Sequence, residues 1–273
     1  MKKFPILLAM LLFVLVANAQ DEFGKISFNK AVNISGKQRM LSQKMSKAYL
    51  YLLENPTNIK AKTELETSKV IFEKHNEILS KYAVSKETSK KIDEVNDIWS
   101  KLSETFTSTP NEAGAKKIIT TNTLLLRKAD EVVKSIILDA ETSVQSESVD
   151  AIEQTVELKN IINISGKQRM LAQRLALYYF ANTASLKNDL VENNLVGAYT
   201  SFDNAITDLL ISDFNNDQIE QVLGEAMKDW NEFKSHKEDF LNHKMSSQEV
   251  YSRTNNLTKV FNKLTILYEK VKM

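Results

Sequence analysis

The 273-residue chain has 36 Lys and Arg, 35 Asp and Glu, and no cysteine. Without cysteine there are no disulfides, thiol nucleophiles, thiolate metal sites or iron–sulfur clusters, and a formal charge of +1 gives no basis for a nucleic-acid partner. Six glycines and three prolines are too few for the turns of a strand-rich chain, so the composition indicates an all-α protein.

The chain opens on a targeting pattern. Met1-Lys2-Lys3 is a basic start, residues 5–16 are a short apolar run, and Ala17-Asn18-Ala19 is an A-x-A cleavage site. Residues 1–19 are therefore expected to be a signal peptide, with the mature chain starting at Gln20. The apolar run is short for a membrane span, and no cysteine follows it to carry a lipid. The expected location is periplasmic or secreted, in soluble form. Removing 19 of 273 residues leaves 254, enough for two modest cores.

Start signals then divide each half into four helices. A first helix is predicted over about 24–54. Asn55-Pro56 reads as an N-cap followed by proline at the first helical position, opening a second helix that ends near Tyr82. Ser85 opens a third, with Trp99 inside it, and Thr109-Pro110-Asn111-Glu112 reads as a capping box for a fourth. In the second half a helix ends near Asn182, another covers about 189–210, and the turn at 213–217 opens a third. Ser246-Ser247-Gln248-Glu249 is a further capping box. Phe72 and Phe202 are 130 residues apart, and Trp99 and Trp230 are 131 apart, as expected of core anchors in matched places. The plan is two tandem up-down four-helix bundles, residues 20–145 and 146–273.

Between Asn111 and Thr183 there is no proline, and the only glycines are Gly114 and Gly166. This run predicts that the two bundles share one long helix, a rod of roughly 100 Å at 1.5 Å per residue. The bundles would then stack end-on, with Arg39 and Arg169 on the order of 40 Å apart. Each would need its copy from a second chain, giving a parallel homodimer. A break in the polar, serine-rich segment 142–148 permits the other outcome, a folded-back monomer with one shared site.

Eleven residues recur almost unchanged. Asn33-Ile34-Ser35-Gly36-Lys37-Gln38-Arg39-Met40-Leu41-Ser42-Gln43 returns 130 residues later as Asn163-Ile164-Ser165-Gly166-Lys167-Gln168-Arg169-Met170-Leu171-Ala172-Gln173. Such a repeat marks a duplicated module. On a helix, Ile34, Leu41, Met45 and Ala48 form an apolar stripe, and Gly36, Arg39, Met40 and Gln43 lie on a neighbouring face. A helix-interior glycine costs about 1 kcal/mol relative to alanine. Its use at both Gly36 and Gly166 suggests close approach by a backbone or a ligand. The planar fork of arginine suits a small oxyanion or carboxylate. The candidate binding residues are Ser35, Gly36, Arg39 and Gln43, with Ser165, Gly166, Arg169 and Gln173. A duplicated helix-packing seam explains the same residues without a ligand.

The motif Asn-Ile-Ser-Gly-Lys-Gln-Arg-Met-Leu-Ser-Gln-Lys-Met at 33–45 resembles the signature of the PilJ-type, NarX-like sensory domain. That domain forms the periplasmic part of type IV pilus chemoreceptor-like transducers and of nitrate/nitrite sensor kinases. The resemblance implies four-helix bundles and an anion held by the arginine and its copy from a partner chain, which places Arg39 and Arg169 in that role. Lys37, Gln38 and Gln43 depart from the nitrate-sensor pattern, so an anion is implied rather than nitrate in particular. Such sensors continue into a membrane helix and an output domain, and this chain ends at Met273 with neither.

No catalytic residues are assigned, because no nucleophile–base pair or cofactor loop is visible. No metal or cofactor is expected: His236 and His243 are seven apart, whereas helical metal pairs are usually four apart, and His75 is alone. The expected function is an exported small-anion-binding sensory protein without its own output domain. It would act in signalling or chemosensing, with a membrane receptor or kinase as partner. The alternative is a structural or adaptor bundle whose motif is a packing seam. Protein recovered from the periplasm or medium should have an intact mass lacking residues 1–19. Full-length protein confined to membranes would instead show an uncleaved anchor.

Overall fold

The computed structural model describes residues 22–143, 149–184 and 186–272. The signal-peptide pattern at 1–19 and most of the serine-rich segment at 142–148 lie outside the described residues.

The fold starts with a small antiparallel hairpin, β1 (Glu22–Phe23) and β2 (Ile26–Ser27). Gly24 makes its turn at φ +66° and lies so close to the end of the second helix that a Cβ there would sit 2.9 Å from the Tyr82 carbonyl oxygen. The first helix therefore begins after the hairpin. Helix α1 spans Phe28–Glu54, capped by the Ser27 side chain. It is followed by α2 (Ile59–Tyr82), α3 (Lys86–Thr107) and α4 (Glu112–Ser143). The second half contains α5 (Val149–Thr183), α6 (Asp189–Leu210), α7 (Asp217–Ser235), a short α8 (Lys237–Leu241) and α9 (Ser247–Glu269). The protein is an all-α helical bundle.

Several helix starts are as the capping chemistry predicts: Ser85, Asn188 and Ser246 each accept a bond from a backbone N–H of the first turn. Two are not. Asn55 closes α1, its N–H bonding to the Tyr51 carbonyl, and the cap of α2 is Asn58, whose side chain accepts from Ala61 N. Likewise Asn111, not Thr109, holds the start of α4, accepting from Gly114 N at 2.9 Å. In both places an asparagine nearer the helix has the better reach.

The junction differs most from expectation. Helix α4 ends at Ser143, and α5 starts at Val149. Thr123 Oγ1 lies 3.4 Å from the Tyr178 hydroxyl, which sets the middle of α4 beside the C-terminal part of α5. The two helices thus run antiparallel, and no shared rod joins the halves. Helices α1 and α5 instead run parallel, side by side. Gln43 meets Arg174, and Tyr51 meets Phe180 with ring centroids 5.3 Å apart. These pairs are 131 and 129 residues apart, close to the repeat offset, so the two motif helices face each other about an approximate two-fold axis within one chain. The homodimer expected from end-on stacking is not needed to bring the motifs together.

Helices α2 and α4 flank α1 on one side of this seam with α3 packed on them, and α6 and α9 flank α5 on the other with α7 packed on them. Trp99 packs on Phe72 at 4.5 Å and Trp230 on Phe202 at 4.3 Å, one such pair on each side. With neighbours all round, α1 and α5 bury polar as well as apolar residues. Asn33, Ser35, Gln38, Arg39, Ser42, Gln43, Ser46 and Lys47 are all buried on α1. Spin labels at the exposed Lys117 and Lys187 should report the chain reversal. Electron–electron distance measurements are expected to place them well under roughly 40 Å apart, whereas a continuous rod would separate them by about 100 Å.

Candidate functional site

Arg39 and Arg169 are among the most deeply buried side chains, with 1% and 0% of their surface exposed. Each reaches across the α1–α5 seam to the motif asparagine of the other helix. Arg39 Nη2 donates to Asn163 Oδ1 at 2.6 Å, and Arg169 Nη1 donates to Asn33 Oδ1 at 2.9 Å. The glycines make room for this crossing. A Cβ on Gly36 would lie 3.4 Å from Arg39 Nη2 and 3.5 Å from Arg169 Nη2, and one on Gly166 would lie 3.0 Å from Arg169 Nη2. The close approach that two helix-interior glycines suggest is thus made by the two guanidinium groups themselves.

The arrangement is symmetric in geometry but not in charge. Arg39 Nη1 is paired with the Asp130 carboxylate of α4 at 2.5 Å. The corresponding neighbour of Arg169 is Asn262 of α9, an amide, at 3.0 Å. Arg169 has no carboxylate within ion-pair distance among the described residues. Glu269, which bonds Asn33 and pairs with Lys30 at 3.3 Å, acts on it only from further away. Both Nε and Nη2 of Arg169 are buried with no hydrogen-bond partner.

The electrostatics follow from this geometry. Burial, then repulsion from Arg39, lowers the pKa of Arg169 to about 9, so the group is still protonated at neutral pH. Arg39 is also lowered by burial, and Asp130 opposes the shift. Burial alone would raise Asp130, but Arg39 and Lys134 outweigh it and hold the carboxyl below its usual range. Lys37, half-buried nearby, is lowered by burial and by the charge of Arg169. His75 on α2 is pushed down to about 4 by burial and then by Lys37 and Arg169. The site is a buried centre of positive charge with one close counter-ion.

Of the eight candidate residues, the structure brings four together: Gly36, Arg39, Gly166 and Arg169. The other four bond elsewhere. Ser35 Oγ returns to the Val32 carbonyl, as a helical serine readily does, and Ser165 Oγ bonds the Ile162 carbonyl and Thr265. Gln43 accepts from Arg174 at 3.1 Å, and Gln173 donates to Asn255 and Thr258. These glutamines lie one turn beyond the arginines, where Gln43 bonds across the seam and Gln173 ties α5 to α9. Sequence reasoning passed over Asn33 and Asn163, although both stand in the duplicated motif six residues before an arginine. Asp130 and Asn262 carry no signal in the sequence, because they come from α4 and α9 and differ in type.

Residues 27–121 match the family described as type IV pili methyl-accepting chemotaxis transducer N-term, PilJ. The matched stretch covers α1 to α3 and the start of α4, including Gly36 and Arg39, and links this part of the chain to signalling and chemosensing. No curated protein and no solved structure matches the chain. Among the described residues, no helix is long and apolar enough to cross a membrane.

Asp130 is the close counter-ion of Arg39, so Asp130→Asn should leave that guanidinium buried without a carboxylate. A loss of about 2–3 kcal/mol in urea unfolding is expected, below the full cost of breaking a buried pair because Asp130 is 31% exposed. An unchanged midpoint would mean that water already compensates Arg39.

Proposed function

We propose that this chain is an exported, non-enzymatic sensory protein that holds a small anion between Arg39 and Arg169 and acts in chemosensing through a membrane receptor or kinase. The observation that carries this reading is Arg169. It is fully buried and charged, with two of its three nitrogens unpartnered and, among the described residues, no carboxylate within ion-pair distance. An isolated buried cation is strongly unfavourable unless paired and hydrogen-bonded. A small anion seated between the arginines would accept from the free Nε and Nη2 and supply the missing charge. The two sides of the seam, duplicated modules at 20–145 and 146–273 in this reading, would together form one site. An anion there touches α1 and α5 at once, so its binding would bias how the two halves pack and give a partner a state to read. The similarity of residues 27–121 to chemotaxis transducers supports the sensory role.

The packing-seam reading accounts for most of Arg39, whose two terminal nitrogens bond Asp130 and Asn163 and whose Nε alone lacks a partner. It leaves the unsatisfied nitrogens of Arg169 without a reason. Arg169→Met separates the two. On the anion reading, titration calorimetry with nitrate, nitrite, chloride, formate and acetate should find at least one ligand. The methionine variant should lose roughly 2–4 kcal/mol of that binding, yet melt at a higher temperature than the anion-free parent, because an unpaired buried charge has been replaced by an apolar side chain of similar length. If Arg169→Met melts lower and no anion shifts the parent, the motif is a packing seam.

A further inference from the structure

A groove of about 880 Å³ runs between α2 and α9 over the exposed edge of α1. It borders the site through one layer of side chains: Asn262, which accepts from Arg169, is part of its wall, as are Lys37 and His75, which feel the charge of Arg169. Its floor and sides are apolar where Met40, Leu41, Ile71 and Tyr251 contribute. Its charge is one-sided. Lys37, Lys44, Lys60 and Lys259 face a single carboxylate, Glu64. Glu64 is shared between the buried Lys47 at 2.6 Å, Lys44 at 3.5 Å and Asn255 at 3.0 Å, which leaves Lys37, Lys60 and Lys259 without a carboxylate from the groove wall. Four ammonium groups therefore line an apolar trough whose wall includes Asn262, the hydrogen-bond partner of the buried Arg169.

The approximate two-fold places different side chains at the equivalent of this groove. On the opposite side Lys44 is replaced by Arg174, which is 8% exposed, stacks on Tyr178 at 4.7 Å and bonds both Gln43 and Asn194 of α6. Arg174 thus bridges α1, α5 and α6 where the α2–α9 side carries the groove.

We infer that the α2–α9 groove is the entry path and outer binding site for an elongated organic dianion, an apolar chain with an acid group at each end. One acid group would sit at Arg169 and Lys37. The other would reach Lys44 and Lys60. Lys37 and Lys44 are seven residues apart on one helix, so the acid groups of a fitting ligand are separated by roughly 10 Å. The apolar chain lies along Met40, Leu41 and Ile71. The volume is that of an ordinary small-molecule site, far more than one inorganic anion fills. This inference rests on the anion reading of the arginine pair and adds the ligand's body to it.

Calorimetry on the full chain with nitrate, formate and the aliphatic dicarboxylates from malonate to azelate tests it. Affinity is expected to rise with dicarboxylate length and to exceed that for nitrate and formate by tenfold or more at the longer end. Two variants at exposed positions locate the ligand. Ile71→Trp narrows the trough, and Lys60→Glu with Lys259→Glu inverts charge on its walls. Both should weaken the long dicarboxylate at least about tenfold while leaving nitrate or formate binding unchanged. If the small anions bind and no dicarboxylate binds tighter, or if Ile71→Trp leaves dicarboxylate affinity intact, the groove is not the ligand's path while the arginine site stands. If neither small anion nor dicarboxylate binds, the arginine reading falls with it.

Discussion

Two guanidinium groups buried against each other in a helix–helix seam set the terms for the rest of the molecule. Taking a cation out of water costs several kcal/mol even after relaxation, and a like-charged neighbour adds to it. The surroundings of Arg39 and Arg169 answer that cost piece by piece. Gly36 and Gly166 open space for the planar groups to cross. Asn33 and Asn163 accept from the opposite arginine, and Asp130 supplies one full negative charge. What remains unanswered is concentrated on Arg169. Arg39 keeps one unpartnered nitrogen, whereas Arg169 keeps two and has no carboxylate within ion-pair distance among the described residues.

This centre also explains why α1 and α5 lack a simple amphipathic pattern. A helix packed on one face shows an apolar stripe and a polar back. Here the back of each motif helix is another buried interface, and the polar residues on it bond across the seam or to the neighbouring helices. Gln38 and Gln168 make the same bond on the two sides, each donating to the carbonyl of the phenylalanine 34 residues on, Phe72 and Phe202. The duplicated motif is thus read twice by its own half of the bundle, besides being read once by the other half.

Joining the two halves in one chain removes a constraint that a homodimer imposes. In an isologous dimer every residue change appears on both sides of the axis. Within a single chain the two sides can differ, and although the motifs themselves are nearly identical, two differences fall on residues around them. Asp130 opposes Asn262, and Lys44 opposes Arg174. The first difference leaves one arginine short of charge. The second puts a bridging guanidinium on one flank where the other has a half-buried lysine.

Helix content, most cap positions and the paired Trp–Phe anchors were legible in the sequence because they depend on local chemistry: a serine or asparagine before a helix, an aromatic residue at a helical spacing. The misplaced caps at Asn55 and Thr109 failed for a local reason too, since a nearer asparagine competes for the same N–H groups. The packing of the halves was not legible in that way. An uninterrupted helical pattern from 111 to 183 is compatible with a rod or with a reversal, and the polar 142–148 segment alone does not choose between them. The choice is made by the seam. A rod would carry the motif helices apart and leave Asn33, Arg39 and Gln43 on α1 without Arg169, Asn163 and Arg174. The duplicated asparagines held that information, because an asparagine six residues before an arginine, in both copies, is the spacing at which two parallel helices can exchange those bonds.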